Sequence, residues 1–169
     1  IEETRLGIPT LFHEEGLHGF QARYATSFPQ SIALASTFDE ALIENIYSIT
    51  GREIRVRGAH HVLSPVVDVA LDPRWGRIEE TFGEDPWLIG ELAAAAVYGY
   101  QGDNLASHDT ILACAKHYVA YGEATGGRDA YEAEVSPRKL LSLFLPPFEK
   151  AVKEAKVATL MVGYQAIDG

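Results

Sequence analysis

The sequence DPRWGRIEETFGEDP, residues 72–86, follows an apolar run and precedes a predicted helix. It carries Arg74 and Arg77 on either side of Trp75. Guanidinium groups offer a fixed fork of hydrogen-bond donors, and an aromatic face can pack on C–H groups. The stretch is therefore suited to a ligand with many hydroxyl groups. The alternative is a surface loop whose charged side chains pair with one another.

Four apolar segments around this stretch are predicted to be buried strands. They are residues 8–12, residues 62–70 with an interruption at Pro65, residues 111–115 and residues 157–162. Their apolar residues do not alternate with polar ones. This pattern is typical of a parallel sheet that is covered on both faces.

Three helices are predicted from capping and proline signals. They cover residues 37–57, residues 85–99 and residues 136–155, the last with a bend or break at Pro146-Pro147. Thr37 and Glu40 have the spacing of a capping box. Strands that alternate with helices in this way indicate an α/β fold.

The chain shows no repeat or linker, so residues 1–169 are predicted to form one domain. A complete eight-stranded barrel built from parallel strands alternating with helices needs at least about 200 residues. We therefore expect part of a (β/α)8 TIM-like barrel, and a piece of a longer protein.

The charge of the chain limits its partners. Lys and Arg number 14 and Asp and Glu number 24, a formal net charge of −10. This charge opposes binding to nucleic acid or to an anionic membrane, so a neutral ligand is expected. Cys114, the single cysteine, is predicted to be a small buried residue without a disulfide. No segment has the length of a membrane span, no signal peptide is visible at Ile1, and no pattern predicts an oligomeric state.

Polar residues follow each predicted strand. The active site of a parallel α/β barrel lies at the carboxyl ends of its strands. These positions hold His13, Glu14, Glu15, Asp72, Arg74, Arg77, Lys116, His117, Tyr164 and Gln165. Such a mixture of donors and acceptors suits a polyhydroxylated ligand. The ordinary alternatives are a solvated carboxylate for Glu15, an exposed ammonium for Lys116 and a structural hydrogen-bonded ring for His18.

The segment HEEGLH, residues 13–18, looks like a zinc-protease signature but does not fit it. That signature needs two His four positions apart on one helix face. His13 and His18 are five apart, which is about 500° of helix rotation. No other cluster has metal-ligand spacing, and no Gly-rich phosphate loop follows a strand. Neither a metal nor another cofactor is expected.

Five blocks of the sequence together resemble the N-terminal barrel domain of glycoside hydrolase family 3. They are HEEGLHG (13–19), FPQSIALA (28–35), DPRWGRIEETFGEDP (72–86), KHYVAYG (116–122) and MVGYQAIDG (161–169). The resemblance implies a retaining enzyme that removes sugars from the non-reducing end of β-glycosides. HEEGLHG with FPQSIALA is closer to the family's β-glucosidase and β-xylosidase branch than to its β-N-acetylhexosaminidases.

The resemblance also implies substrate-binding roles, residue by residue. Glu15 stands where the family carries an acidic residue that accepts hydrogen bonds from sugar hydroxyls, although many members have Asp there. Arg77 matches the family's sugar-binding arginine. Lys116 and His117 match its Lys-His pair, which binds adjacent hydroxyls.

Near the end of the chain, Met161 matches a methionine that lines the family's pocket, and Tyr164 a tyrosine beside the nucleophile. Gln165 stands where many members have Asn. Retaining hydrolysis needs a carboxylate nucleophile and an acid/base group about 5–5.5 Å apart. In the family both come later in the chain, so they are expected beyond Gly169, and residues 1–169 alone are expected to be inactive.

Two other interpretations stay open. One is a sugar-binding module without catalysis. The other is an unrelated α/β barrel enzyme that uses a metal, which the lack of a ligand cluster disfavours. The expected partner is a β-linked oligosaccharide or an aryl or alkyl β-glycoside. A hydrolase for plant-type glycans is expected in the periplasm or outside the cell rather than in the cytoplasm.

Overall fold

The computed structural model describes residues 2–169, in which helices alternate with short strands. The strands are β1 (His13–Glu14), β2 (His61–Val62), β3 (Cys114–Tyr118) and β4 (Thr159–Val162). The helices are α1 (Ser31–Ala35), α2 (Glu40–Arg55), α3 (Pro86–Gln101), α4 (Pro137–Lys139) and α5 (Leu145–Lys153). The mixed α/β character of the chain agrees with the predicted fold class.

The strands pair in parallel and in chain order. β1 pairs with β2, and β3 pairs with β4. Single parallel bridges, His61 with Leu112 and Val66 with Lys116, connect the two pairs. Because β1–β2 and β3–β4 and the bridges that connect them are parallel, the carboxyl ends of these strands lie at one edge, where polar residues can meet.

The prediction of a buried strand over residues 8–12 is wrong. Ile8 is 68% exposed and Phe12 is 61% exposed. Pairing starts only at Phe12, whose carbonyl oxygen accepts from the His60 N–H at 2.9 Å. The apolar character of this segment is real, but no layer of the described residues covers it.

The other strand predictions are displaced rather than absent. Residues 62–70 include buried Val66 and Val67, yet pairing is interrupted after β2 because Pro65 has no N–H to donate. β3 starts at Cys114 instead of residue 111. Lys116 and His117 therefore lie inside this strand, not after it.

The first long helix has a different cap from the predicted one. Asp39 is the N-cap of α2, and its Oδ1 accepts from the Leu42 N–H at 2.9 Å. The capping box predicted at Thr37 is wrong, because Thr37 Oγ1 donates to Leu34 O instead. α1, which contains Leu34, has no counterpart in the sequence-based predictions.

Two later helices begin as predicted. Asp85 Oδ1 accepts from the Leu88 N–H at 2.8 Å and caps α3, with proline at its first position. Ser136 caps α4. Instead of a break at the later prolines, a π-helical segment, Leu140–Phe144, leads directly into α5. Pro146 and Pro147 lack an N–H. The helix therefore changes to π-helical geometry just before them, where a bend was predicted.

The packing of α2 on α3 fixes the chain that follows β1. Tyr47 and Tyr100 are buried and meet edge to face, with ring centroids 5.0 Å apart. The Tyr47 hydroxyl donates to Leu17 O at 2.9 Å, and the Tyr100 hydroxyl donates to Gly16 O at 2.7 Å. In the described part of the chain, no helix is both long and apolar enough to cross a membrane.

Gly99 is required by the close approach of these two helices. A Cβ at this position would lie 2.3 Å from Glu44 O and 2.9 Å from Ser48 N, both backbone atoms. We expect Gly99→Ala to lower the free energy of unfolding by about 1–3 kcal/mol, because the helices must separate. Urea denaturation followed by circular dichroism measures the change.

Gly90 is the matched control on the same helix. An added Cβ there would meet Lys150 Cδ at 3.3 Å, a flexible side chain that can move. Gly90→Ala should be neutral or stabilising by up to about 1 kcal/mol, since alanine favours a helix over glycine. Equal destabilisation by both substitutions would contradict the special role of Gly99.

Candidate active site

The loop after the second strand segment separates its two arginines. Asp72 accepts from the Arg74 N–H at 2.9 Å and caps the 3₁₀ turn Pro73–Trp75. Gly76 follows with φ of +83°, a conformation that glycine adopts without strain. The side chain of Arg74 is 69% exposed, whereas that of Arg77 is 25% exposed. The turn therefore sends the first arginine to solvent and the second inward.

Arg77 is held by a carboxylate and two aromatic rings. Its Nε and Nη2 donate to the two oxygens of Glu80, each at 2.7 Å. Its guanidinium carbon lies 5.9 Å from the centre of the Trp75 ring and 5.5 Å from that of Tyr121. The hydrogen bonds to Glu80 raise the pKa of Arg77. The guanidinium is thus charged and fixed in direction.

Trp75 is buried beside the Arg77 guanidinium and does not face a ligand. The residue is 2% exposed, and its Nε1 donates to Asp129 Oδ1 at 3.1 Å. It meets Tyr121 edge to face at 5.4 Å. Burial raises the pKa of Tyr121 to about 12. The prediction that the indole packs on a ligand is wrong, because its ring is covered by the protein.

Lys116 and Glu15 form an ion pair at the end of β1. Lys116 Nζ lies 2.9 Å from Glu15 Oε2 and 3.1 Å from Oε1. Lys116 is 2% exposed, so the exposed alternative for its ammonium is wrong. The Glu15 side chain is 54% exposed, although both of its oxygens accept from Lys116. The pair places a buried donor and an accessible acceptor side by side.

His117 is fixed by a carboxylate on the neighbouring strand segment. Asp68 Oδ2 accepts from the His117 N–H at 3.1 Å and contacts His117 Nδ1 at 2.8 Å. Burial raises the pKa of Asp68, and the hydrogen bonds from His117 oppose that shift. The other ring nitrogen, Nε2, lies 3.4 Å from Arg77 Nη2. Asp68, His117 and Arg77 therefore form one connected chain.

These groups converge on a cavity of about 280 Å³. Its lining consists of Glu15, Gly16, Leu17, His18, Gly19, Gln21, Arg77, Glu80 and Lys116. A cavity of similar size beside Trp87 also contains ion-paired side chains, such as Lys150 with Glu91, but it lies between helices α3 and α5 and not at the carboxyl ends of the strands. Among residues 2–169, no three His, Cys, Asp or Glu side chains are placed to hold a metal ion. The cavity is suited to hydrogen bonding with hydroxyl groups.

Four of the six predicted substrate-binding residues are brought together. Glu15, Lys116 and Arg77 line the cavity, and His117 contacts Arg77. Met161 does not line it but pairs with Lys116 in the β3–β4 register. Tyr164 is 78% exposed and packs edge-on against Tyr121, with ring centroids 5.9 Å apart.

Three residues of the site escaped the sequence-based predictions of its members. Glu80 and Tyr121 orient Arg77, and Asp68 orients His117. The signal for Asp68 was a single carboxylate inside an apolar run, where a charge without a partner would be unstable. His18 lines the cavity and has its Nδ1 3.3 Å from Phe28 O, which fits the structural alternative.

Comparisons with known proteins give a consistent result. The model of the Glycosyl hydrolase family 3 N terminal domain matches residues 1–169. A β-xylosidase of Formosa agariphila is 42% identical over 98% of this chain, which covers 24% of that protein. A β-glucosidase involved in saponin metabolism from intestinal bacteria has 48% identity and a TM-score of 0.95, with 99% of this chain and 22% of that chain covered. A β-glucosidase from Listeria innocua in complex with laminaribiose has 36% identity and a TM-score of 0.90, with coverages of 99% and 23%. The chain thus spans about a quarter of the length of these proteins.

The contact between Asp72 and Arg74 is expected to make the stability of the fold depend on pH. Hydrogen bonds from Arg74 lower the pKa of Asp72 to about 2. Because the folded-state pKa is depressed, the contribution of this pair to stability is present above the unfolded pKa and is lost as the pH falls through about 2. We expect an NMR titration of the Asp72 carboxyl carbon to show a midpoint near this value.

Arg74→Ala should raise that midpoint toward the ordinary aspartate value of about 3.9. Arg77→Lys is the control, because Arg77 bonds Glu80 rather than Asp72. A midpoint that is unchanged by Arg74→Ala would show that the contact does not persist in solution.

Proposed function

Because the chain belongs to glycosyl hydrolase family 3, whose N-terminal domain model spans residues 1–169, we propose that it forms the glycone-binding part of a retaining, exo-acting β-glycosidase. The substrate is a β-glucoside or β-xyloside, cleaved from the non-reducing end. Both classes occur among the names of its relatives. The periplasm or the cell exterior is the proposed location, where polymeric plant-type glycans are met.

The convergence of Glu15, Lys116 and Arg77 on one cavity carries this proposal. Sugar hydroxyls both donate and accept, so a site needs fixed groups of each kind. Glu15 supplies accessible acceptor oxygens. Arg77 supplies a guanidinium whose direction Glu80 sets. Lys116 supplies an ammonium that is already out of water, so its orientation changes little when a ligand binds.

The proposed fold is part of a TIM-like barrel, with residues 1–169 as a partial domain. The parallel pairing in chain order supports it, since that is how such barrels are built. The position of the cavity also supports it. Glu15 follows β1 directly, and Arg77 follows the second strand segment. In this arrangement Met161 and Tyr164 would contact the substrate further along the same edge.

Bond cleavage is proposed to depend on a nucleophile and an acid/base outside residues 1–169. Retaining hydrolysis needs two carboxyl groups on opposite sides of the scissile bond. The acidic residues at the cavity are already engaged: Glu15 by Lys116, Glu80 by Arg77. Asp68 is buried beneath His117. These contacts suit binding better than attack, and they also favour the alternative of a sugar-binding module.

The two arginines allow a charge-conserving test in the intact protein. Arg77→Lys should lower kcat/KM for aryl β-glucosides or β-xylosides by about 100-fold or more. A point ammonium cannot keep both hydrogen bonds to Glu80 and also point at the ligand. Arg74→Lys, at an exposed site, should change kcat/KM by less than about threefold. Equal effects of the two substitutions would remove Arg77 from the site.

The division between binding and catalysis can be tested on residues 1–169 expressed alone. We expect ligand-observed NMR to show binding of glucose or xylose. We also expect no release of p-nitrophenol from p-nitrophenyl β-glucoside or β-xyloside. Release of p-nitrophenol would contradict the proposal and direct the search for a nucleophile to Glu15, Asp68 and Asp72. Turnover by the intact protein would separate a glycosidase from a binding module.

A further inference from the structure

We propose that Asp68 is a positioning residue that holds the proton of the His117 ring on Nδ1. This leaves Nε2 as a hydrogen-bond acceptor that helps to orient Arg77. The consequence for sugar binding rests on the proposed function. The protonation of the ring rests only on contacts within the protein.

The backbone N–H of His117 shows that Asp68 Oδ2 accepts a hydrogen bond. The His117 backbone N–H can only donate, and it lies 3.1 Å from Asp68 Oδ2. Oδ2 is therefore an acceptor. The same oxygen lies 2.8 Å from His117 Nδ1, and an ionised carboxylate can only accept, so this nitrogen carries a proton and donates it. A proton on Asp68 would not change the tautomer, because Nε2 faces the Arg77 donor and a neutral imidazole with an unprotonated Nε2 carries its proton on Nδ1.

The Arg77 guanidinium indicates that His117 Nε2 carries no proton. Arg77 Nη2 lies 3.4 Å from His117 Nε2, and a guanidinium has no acceptor. A proton on Nε2 would place two donors against each other. Nε2 therefore presents its lone pair, and the ring is the neutral tautomer protonated on Nδ1. The Tyr121 ring, 4.8 Å away at an interplanar angle of 67°, restricts rotation of the imidazole.

This tautomer completes the set of contacts that aims Arg77. The guanidinium has five N–H groups. Nε uses one on Glu80 Oε1, and Nη2 uses one on Glu80 Oε2 and one on His117 Nε2. The two N–H groups of Nη1 are outside this set, and because the Tyr121 hydroxyl also interacts with the guanidinium, at most these two donors remain for a ligand. Asp68 thus acts on the cavity through His117 without lining it.

The first test is ¹⁵N NMR of the His117 ring in the intact protein near neutral pH. We expect a pyrrole-type signal from Nδ1 and a pyridine-type signal from Nε2. Protonation of Nε2, whether alone or together with Nδ1, would overturn the proposal. This measurement needs no variant and no ligand. His61, whose Nε2 contacts Thr159 Oγ1 at 2.7 Å, provides a second ring as an internal reference.

Two substitutions then separate positioning from simple burial. Asp68→Asn keeps an acceptor oxygen for both His117 donors. It replaces only Oδ1, which has no hydrogen-bond partner among the described residues. We expect it to keep the tautomer and to raise the Kd for glucose by less than about threefold. Asp68→Ala removes the acceptor, and we expect loss of the tautomer and about a tenfold higher Kd.

The outcomes are distinguishable. Retention of the tautomer in Asp68→Ala, with His61 signals unchanged, would overturn the role of Asp68. If Asp68→Ala does not fold, the wild-type spectrum still decides the tautomer, and Asp68→Asn tests whether the acceptor alone is sufficient. The predicted tautomer in a wild-type protein that binds neither glucose nor xylose would contradict the proposed function while supporting the positioning role.

Discussion

A buried ammonium group sets the main constraint on this structure. Lys116 lies inside β3 with almost no exposure, and a charge in that position is tolerated only beside an opposite charge. Glu15 supplies that charge from the end of β1, although strand β2 and helices α1 to α3 lie between the two residues along the chain. The parallel pairing of β1 with β2, and the bridges from residues 61 and 66 to residues 112 and 116, bring the two side chains together. Helices α2 and α3 satisfy a related requirement, because their tyrosines hold the chain just beyond Glu15.

The candidate site extends this pairing of charges. Arg77 has Glu80, and His117 has Asp68, so both of these side chains are also held by a carboxylate of their own. Groups that are fixed before a ligand arrives lose less conformational freedom on binding. The covered rings of Trp75 and Tyr121 contribute in the same way, by filling the space in which the guanidinium would otherwise move.

Local signals in the sequence predicted local structure well. Asp85 with Pro86 marked the start of α3, because a cap and a first-turn proline act within a few residues. The extent of the strands was predicted less well, since pairing depends on distant partners. Residues 8–12 are apolar yet exposed, and β3 is displaced by its contacts with residues 64, 65 and 159. For the same reason the residue types at the cavity were identified, but Asp68 as the carboxylate behind His117 was not.

Gly76 shows how little sequence separates two opposite roles. A Cβ at this position would meet no atom within 4 Å, so what the position requires is a left-handed backbone and not space. That single dihedral angle decides which of two chemically identical side chains faces the cavity and which faces water. Whether an arginine of this loop faces solvent or the cavity thus depends on its position relative to the turn. The two arginines lie three positions apart, so a shift of the turn by three residues would bring Arg74 to the inward-facing position while leaving the composition of the loop almost unaltered.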